Sequence, residues 1–161
     1  MTKSTSVMMG VALASLAAGC GGSRAVEIDP SQQFTGSRWN ASLATPSEMM
    51  GASQVRGTAW MGADQRNPER TRATVSVSNA VPGGRHPWHV HVGQCGNDQG
   101  ILGSAESYPL LAVNNDGQAE ASAVLEMAVP ASTGQFFVSV HASRENLGTI
   151  IACGNLAPPI R

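Results

Sequence analysis

The chain has 161 residues and a formal net charge of −1, with ten Lys and Arg together against eleven Asp and Glu. Nine of those ten bases are arginines spread along the chain, so there is neither a basic stripe for nucleic acid nor an acidic tail, and no nucleic-acid partner is expected. The length suits one domain that can bury a real core.

The first element is an export signal. Lys3 supplies a positive start, and Val7 to Ala18 is a nearly unbroken apolar stretch. That stretch falls well short of the roughly 20 residues needed to cross a bilayer as a helix. It ends at Leu16-Ala17-Ala18-Gly19-Cys20, which resembles the bacterial lipobox and so implies cleavage before Cys20 and acylation of its thiol. On this reading residues 1–19 are a lipoprotein signal peptide, the polar, glycine-containing residues 20–33 are a flexible tether, and residues 34–161 are the folded domain. Gly21 stands where an inner-membrane retention signal carries Asp. The same resemblance therefore implies an exported lipoprotein in the outer membrane facing the periplasm, or at the cell surface, with the membrane as partner through a lipid anchor.

Beyond the tether the chain runs in short segments with alternating or β-branched apolar residues: Arg38 to Ala44, Gln54 to Met61, Ala73 to Val77, Trp88 to Val92, Leu110 to Val113, Ala119 to Leu125, Phe136 to His141 and Thr149 to Cys153. No segment after the signal carries a 3.6-residue stripe, so eight strands are expected rather than helices. Asn114-Asn115-Asp116-Gly117 is a strong hairpin signal and Pro82-Gly83-Gly84 a second breaker. Short strands at this spacing predict an all-β antiparallel sandwich or barrel.

The four histidines are His86, His89, His91 and His141. Residues two apart on a strand face the same side, so His89 and His91 can present imidazoles to one point, and His141 on a later strand can supply a third nitrogen from across the sandwich. Three imidazoles suit copper or zinc, with copper the stronger binder among the divalent ions. Asn97 and Asp98 read as turn formers. If Cys20 is acylated, Cys95 and Cys153 remain in an oxidising compartment, where a disulfide between them is expected.

In order, His86-x-x-His89-x-His91, Gly93 and Cys95, Asp116-Gly117, Ser139-Val140-His141, Leu147-Gly148 and Ala152-Cys153-Gly154 are similar to the copper/zinc superoxide dismutases. The resemblance covers about Val55 to Leu156 and implies an eight-stranded Greek-key β-sandwich. It also implies that His89, His91 and His141 are copper ligands. His86 matches a histidine that pins the barrel near the site through backbone hydrogen bonds, Cys95 and Cys153 match the intrasubunit disulfide, and Glu145 stands where the family has an aspartate linking two metal sites.

The departures from the family decide what activity to expect. Its zinc loop carries a bridging histidine, two further histidines and an aspartate, whereas this chain passes through Gly103-Ser104-Ala105-Glu106-Ser107-Tyr108-Pro109 with no histidine. No zinc site is therefore expected, and Tyr108 is expected to pack over the gap. The long charged guiding loop is absent, and Ile150 aligns with the arginine that holds superoxide beside copper. Arg144 is near His141 in sequence but is expected to be solvated. The resemblance thus implies copper binding with dismutase activity reduced or lost. An active copper-only superoxide dismutase and a non-enzymatic copper store, chaperone or scaffold are the other readings. Oligomeric state is not legible in the sequence.

Overall fold

The computed structural model describes residues 38–51 and 54–160. The signal peptide 1–19, the lipidation position Cys20, the tether 20–33 and residues 34–37 lie outside the described residues. Ten strands form: β1 (Trp39–Ala44), β2 (Arg56–Ala63), β3 (Thr71–Ser78), β4 (Arg85–His86), β5 (Trp88–Gln94), β6 (Asn97–Ile101), β7 (Leu111–Ala112), β8 (Ala119–Leu125), β9 (Phe136–His141) and β10 (Ile150–Leu156). No α-helix is present among the described residues.

The alternation seen in the sequence decides which face of the sheet turns to the core. In β1, Trp39, Ala41 and Leu43 are buried while the residues between them are exposed, as a pleated strand with one wet face requires. Eight strands make one antiparallel, curled sheet in the order β6-β5-β9-β10-β1-β2-β3-β8, so the last strand pairs beside the first. β4 and β7 form a separate two-stranded ribbon. The concave side of the eight-stranded sheet is filled by Trp39, Met61, Val75, Trp88, Val90, Leu125, Val138 and Val140, with Leu111 from the ribbon, all at most 1% exposed. A fully buried aliphatic side chain of this kind contributes about 1.5–3 kcal/mol. The expected all-β architecture is therefore present.

Two details differ from the expectation. Leu110 to Val113 does not join the main sheet but shortens to Leu111–Ala112 and pairs with Arg85–His86. The eighth strand of the sheet is instead β6, in the segment Asn97-Asp98-Gln99-Gly100-Ile101 that composition marks as a turn. All five of its residues are exposed, so it lacks the alternation that betrays a half-buried strand. It forms because β5 turns back on itself at Cys95-Gly96, and backbone pairing of a sheet edge needs no apolar side chains. Gly93, with φ of 108°, lets the hairpin close, since a Cβ there would collide with the Asn97 carbonyl oxygen.

The turn after β7 follows its sequence closely. The Asn114 side-chain oxygen accepts from the Asp116 and Gln118 N–H groups at 2.9 Å each, and Gly117 takes φ of 75°. Cys95, in the β5–β6 turn, is bonded to Cys153 on β10, which ties the hairpin to the neighbouring part of the sheet. The Asn155 side chain holds the same turn by accepting from the Cys95 N–H at 2.8 Å.

Candidate metal centre

All six residues of β9 are buried, which no strand with a wet face would show, and the reason is that both of its faces are used. Phe136, Val138 and Val140 point into the core, leaving Phe137, Ser139 and His141 on the other face. β5 divides in the same way, with Trp88 and Val90 in the core and His89 and His91 opposite. The two strands are adjacent and antiparallel, with His89 beside Ser139 and His91 beside Phe137. His141 therefore reaches the pair from the neighbouring strand of the same sheet, not from across the sandwich, because the sheet order places β9 directly against β5.

One nitrogen from each of His89, His91 and His141 lies within 4.8 Å of the other two, and all three residues are buried. His89 Nδ1 stands 3.3 Å from His141 Nε2. Nitrogens that share one ion at about 2.0–2.1 Å stand about 3.3–3.6 Å apart, so this spacing suits a ligand pair as well as a hydrogen bond. Ser139, fully buried, lies between the rings with its Oγ 2.9 Å from His91 Nε2 and 3.0 Å from His141 Nε2.

The hydrogen bonds fix which nitrogens are free. His91 Nδ1 faces the Asp98 carboxylate at 2.9 Å and His141 Nδ1 faces the Leu147 carbonyl at 2.6 Å, and both partners can only accept. A neutral ring in either place carries its proton on Nδ1 and turns its Nε2 lone pair toward Ser139; the single hydroxyl hydrogen serves one of the two, and the Nδ1 of His89, 3.3 Å from His141 Nε2, is the other donor within reach. Three imidazole nitrogens converging on one point could hold a metal ion that prefers imidazole in place of these hydrogen bonds.

Burial disfavours charging two of the three rings. Burial, followed by the neighbouring His141 and His91, pushes His89 down from 6.5 to about 4. Burial also lowers His141, opposed by its bond to the Leu147 carbonyl. For Asp98, burial pushes the carboxyl up, but the Gly100 N–H and His91 hydrogen bonds outweigh it and hold the group below its ordinary value.

The other sequence candidates take definite places. His86 Nδ1 lies 3.1 Å from the His141 carbonyl and 2.9 Å from that of Ala142, so this ring holds the backbone at the end of β9 and is not part of the cluster. Glu145 is exposed in the 143–148 loop, its carboxylate toward Ser143 and Arg144. Tyr108 packs, with its ring edge-on to Trp88 at 5.1 Å and to His89 at 5.3 Å and its hydroxyl donating to the Leu102 carbonyl at 2.7 Å. Burial pushes its phenol above the usual range. Arg144 is exposed on the wall of a cavity of about 430 Å³, which His89, Tyr108, Ile101 and Leu147 also line. Ile150 pairs with His141 across β9 and β10.

Two residues of the site escaped the sequence reading. Ser139 could have been found, since it stands two residues before His141 on a strand and must share its face. Asp98 could not, because only the β5–β6 hairpin brings it back onto His91. A scan against protein-family models finds no match to this chain, and a search of curated proteins finds none either.

Proposed function

We propose that this chain is an exported, superoxide dismutase-like lipoprotein that binds copper through His89, His91 and His141, with dismutase activity reduced or lost. The observation that carries the reading is the convergence of three buried imidazole nitrogens within 4.8 Å. Copper is favoured because the trio contains neither thiolate nor carboxylate and copper leads the divalent series for imidazole ligands. Bound copper would supply one-electron redox chemistry. The protein's own contribution is to hold three rings on two adjacent strands, to fill the space above His89 with Tyr108, and to orient two of the rings through Asp98 and Leu147. The lipobox-like Cys20 supports attachment to a membrane, and superoxide is the substrate class to test.

A second reading, an active copper-only dismutase, is favoured by one feature: His89 lines an open cavity of about 430 Å³, so a small molecule has a route to the cluster. A scaffold with a vestigial site would need no such route.

Titrating cupric ion into wild type and four single variants, and following the cupric absorption, tests the ligand assignment. His89→Ala, His91→Ala and His141→Ala should each remove most of the affinity. His86→Ala should weaken it by about 10–100-fold, as expected for a residue that acts through another. If His86→Ala abolishes binding while His141→Ala leaves it intact, the three-histidine site is wrong. A superoxide assay on the copper-loaded protein then separates an active enzyme from a store.

A further inference from the structure

Two ligand rings of the cluster are held from behind in different ways. His141 gives its Nδ1 proton to a neutral carbonyl, that of Leu147, whereas His91 gives its own to a carboxylate, that of Asp98. The carboxylate is itself held in place. Asp98 Oδ1 also accepts from the Gly100 N–H at 2.7 Å, and the residue sits opposite Gly93 in the β5–β6 ladder. The register shift between His91 and Gly93, with Gly93 at φ of 108°, is what turns the edge strand so that Asp98 meets the ring of His91.

We infer that Asp98 is a positioning residue of the metal centre: its carboxylate fixes His91 with Nδ1 protonated and Nε2 free for the ion, and its negative charge selects the more highly charged oxidation state of a redox-active metal. The inference rests on the three-histidine copper reading above. It follows from general chemistry. A carboxylate behind a ligating imidazole holds the tautomer and raises the basicity of the opposite nitrogen, and loss of such a partner typically costs about 10–100-fold in affinity. A nearby anion stabilises a dication more than a monocation. The exposed strand β6, which has no apolar side chain in the core, has this as its chemical contribution to the site.

The test compares wild type, Asp98→Asn and Asp98→Ala by competition titration with cupric and with cuprous ion, and reads the His91 tautomer in the metal-free protein by nitrogen-detected NMR. Asp98→Asn keeps an oxygen that can accept from His91 and from Gly100 but loses the charge. It should keep the tautomer and lower cupric affinity by about tenfold while changing cuprous affinity less. Asp98→Ala should lower cupric affinity by about 10–100-fold and let His91 take its proton on Nε2, facing Ser139. His91→Ala and His141→Ala are run beside them. If those two still bind cupric ion, the three-histidine reading itself has failed. If they lose it while both Asp98 variants bind cupric and cuprous ion as wild type does, the role of Asp98 is overturned. A uniform loss for both ions with an unchanged tautomer would likewise overturn it, since that pattern marks a merely structural residue. Should Asp98→Ala not fold, Asp98→Asn alone decides through the ratio of cupric to cuprous affinity.

Discussion

Burying the imidazoles of His89 and His141 makes the protein sensitive to mild acid, and the size of the effect at His89 follows from its surroundings. In the folded protein His89 takes up a proton only near pH 4, against an ordinary value of 6.5. Between these values the unfolded chain binds more protons than the folded one, so acid favours unfolding. The contribution is whole above pH 6.5 and is lost progressively as the pH falls toward 4. At pH 5.0 the loss from this one ring amounts to about 2 kcal/mol, a large part of the net stability of a domain this size. Urea unfolding of chelator-treated protein at pH 7.5 and pH 5.0, for wild type and His89→Gln, measures the difference. The wild type should lose about 2 kcal/mol more than the variant over that interval. Equal losses would refute the argument that burial holds this ring neutral.

Three further outcomes are expected. Replacing Cys95 and Cys153 together by Ser should cost about 4 kcal/mol in urea unfolding, because the bond closes a segment with a sequence separation of 58, and a peptide map without reduction should recover the Cys95–Cys153 crosslink from wild type. Gly93→Ala should destabilise the protein by about 1–3 kcal/mol, since it meets both a positive φ and the Asn97 carbonyl, and should weaken cupric binding by displacing Asp98; unchanged binding in a folded variant would argue against the hairpin's part in the site. Tyr108→Phe should cost about 1–3 kcal/mol by leaving the Leu102 carbonyl without its donor, yet keep cupric affinity, as isothermal titration would show, because the hydroxyl is already engaged there.

The sequence by itself determined most of the scaffold and half of the site. Period-two patterning in Trp39–Ala44 marked a strand because the pleat forces alternate side chains apart, and the same rule put His89 beside His91 on one face. Asn114 to Gly117 marked its turn because Asn can accept from its own following backbone and Gly tolerates a positive φ. The pairing of Cys95 with Cys153 was expected on the reading that both thiols are exported, and the structure contains the bond.

Only the tertiary structure decided which strand stands next to which, and with it where His141 reaches the other two rings. Strand order depends on long-range pairing that no local pattern encodes, so placing His141 across the sandwich and not on the adjacent strand was a choice the sequence could not make. β6 was illegible for a related reason. An edge strand held by backbone hydrogen bonds alone leaves no apolar signature, and its residues look like those of a turn. Asp98 belongs to that strand. Its approach to His91 rests on the β-bulge in β6, where Gln99 and Gly100 stand opposite the single residue Val92, a local departure from regular pairing that fixes one side chain against another and exists only once both strands are in register.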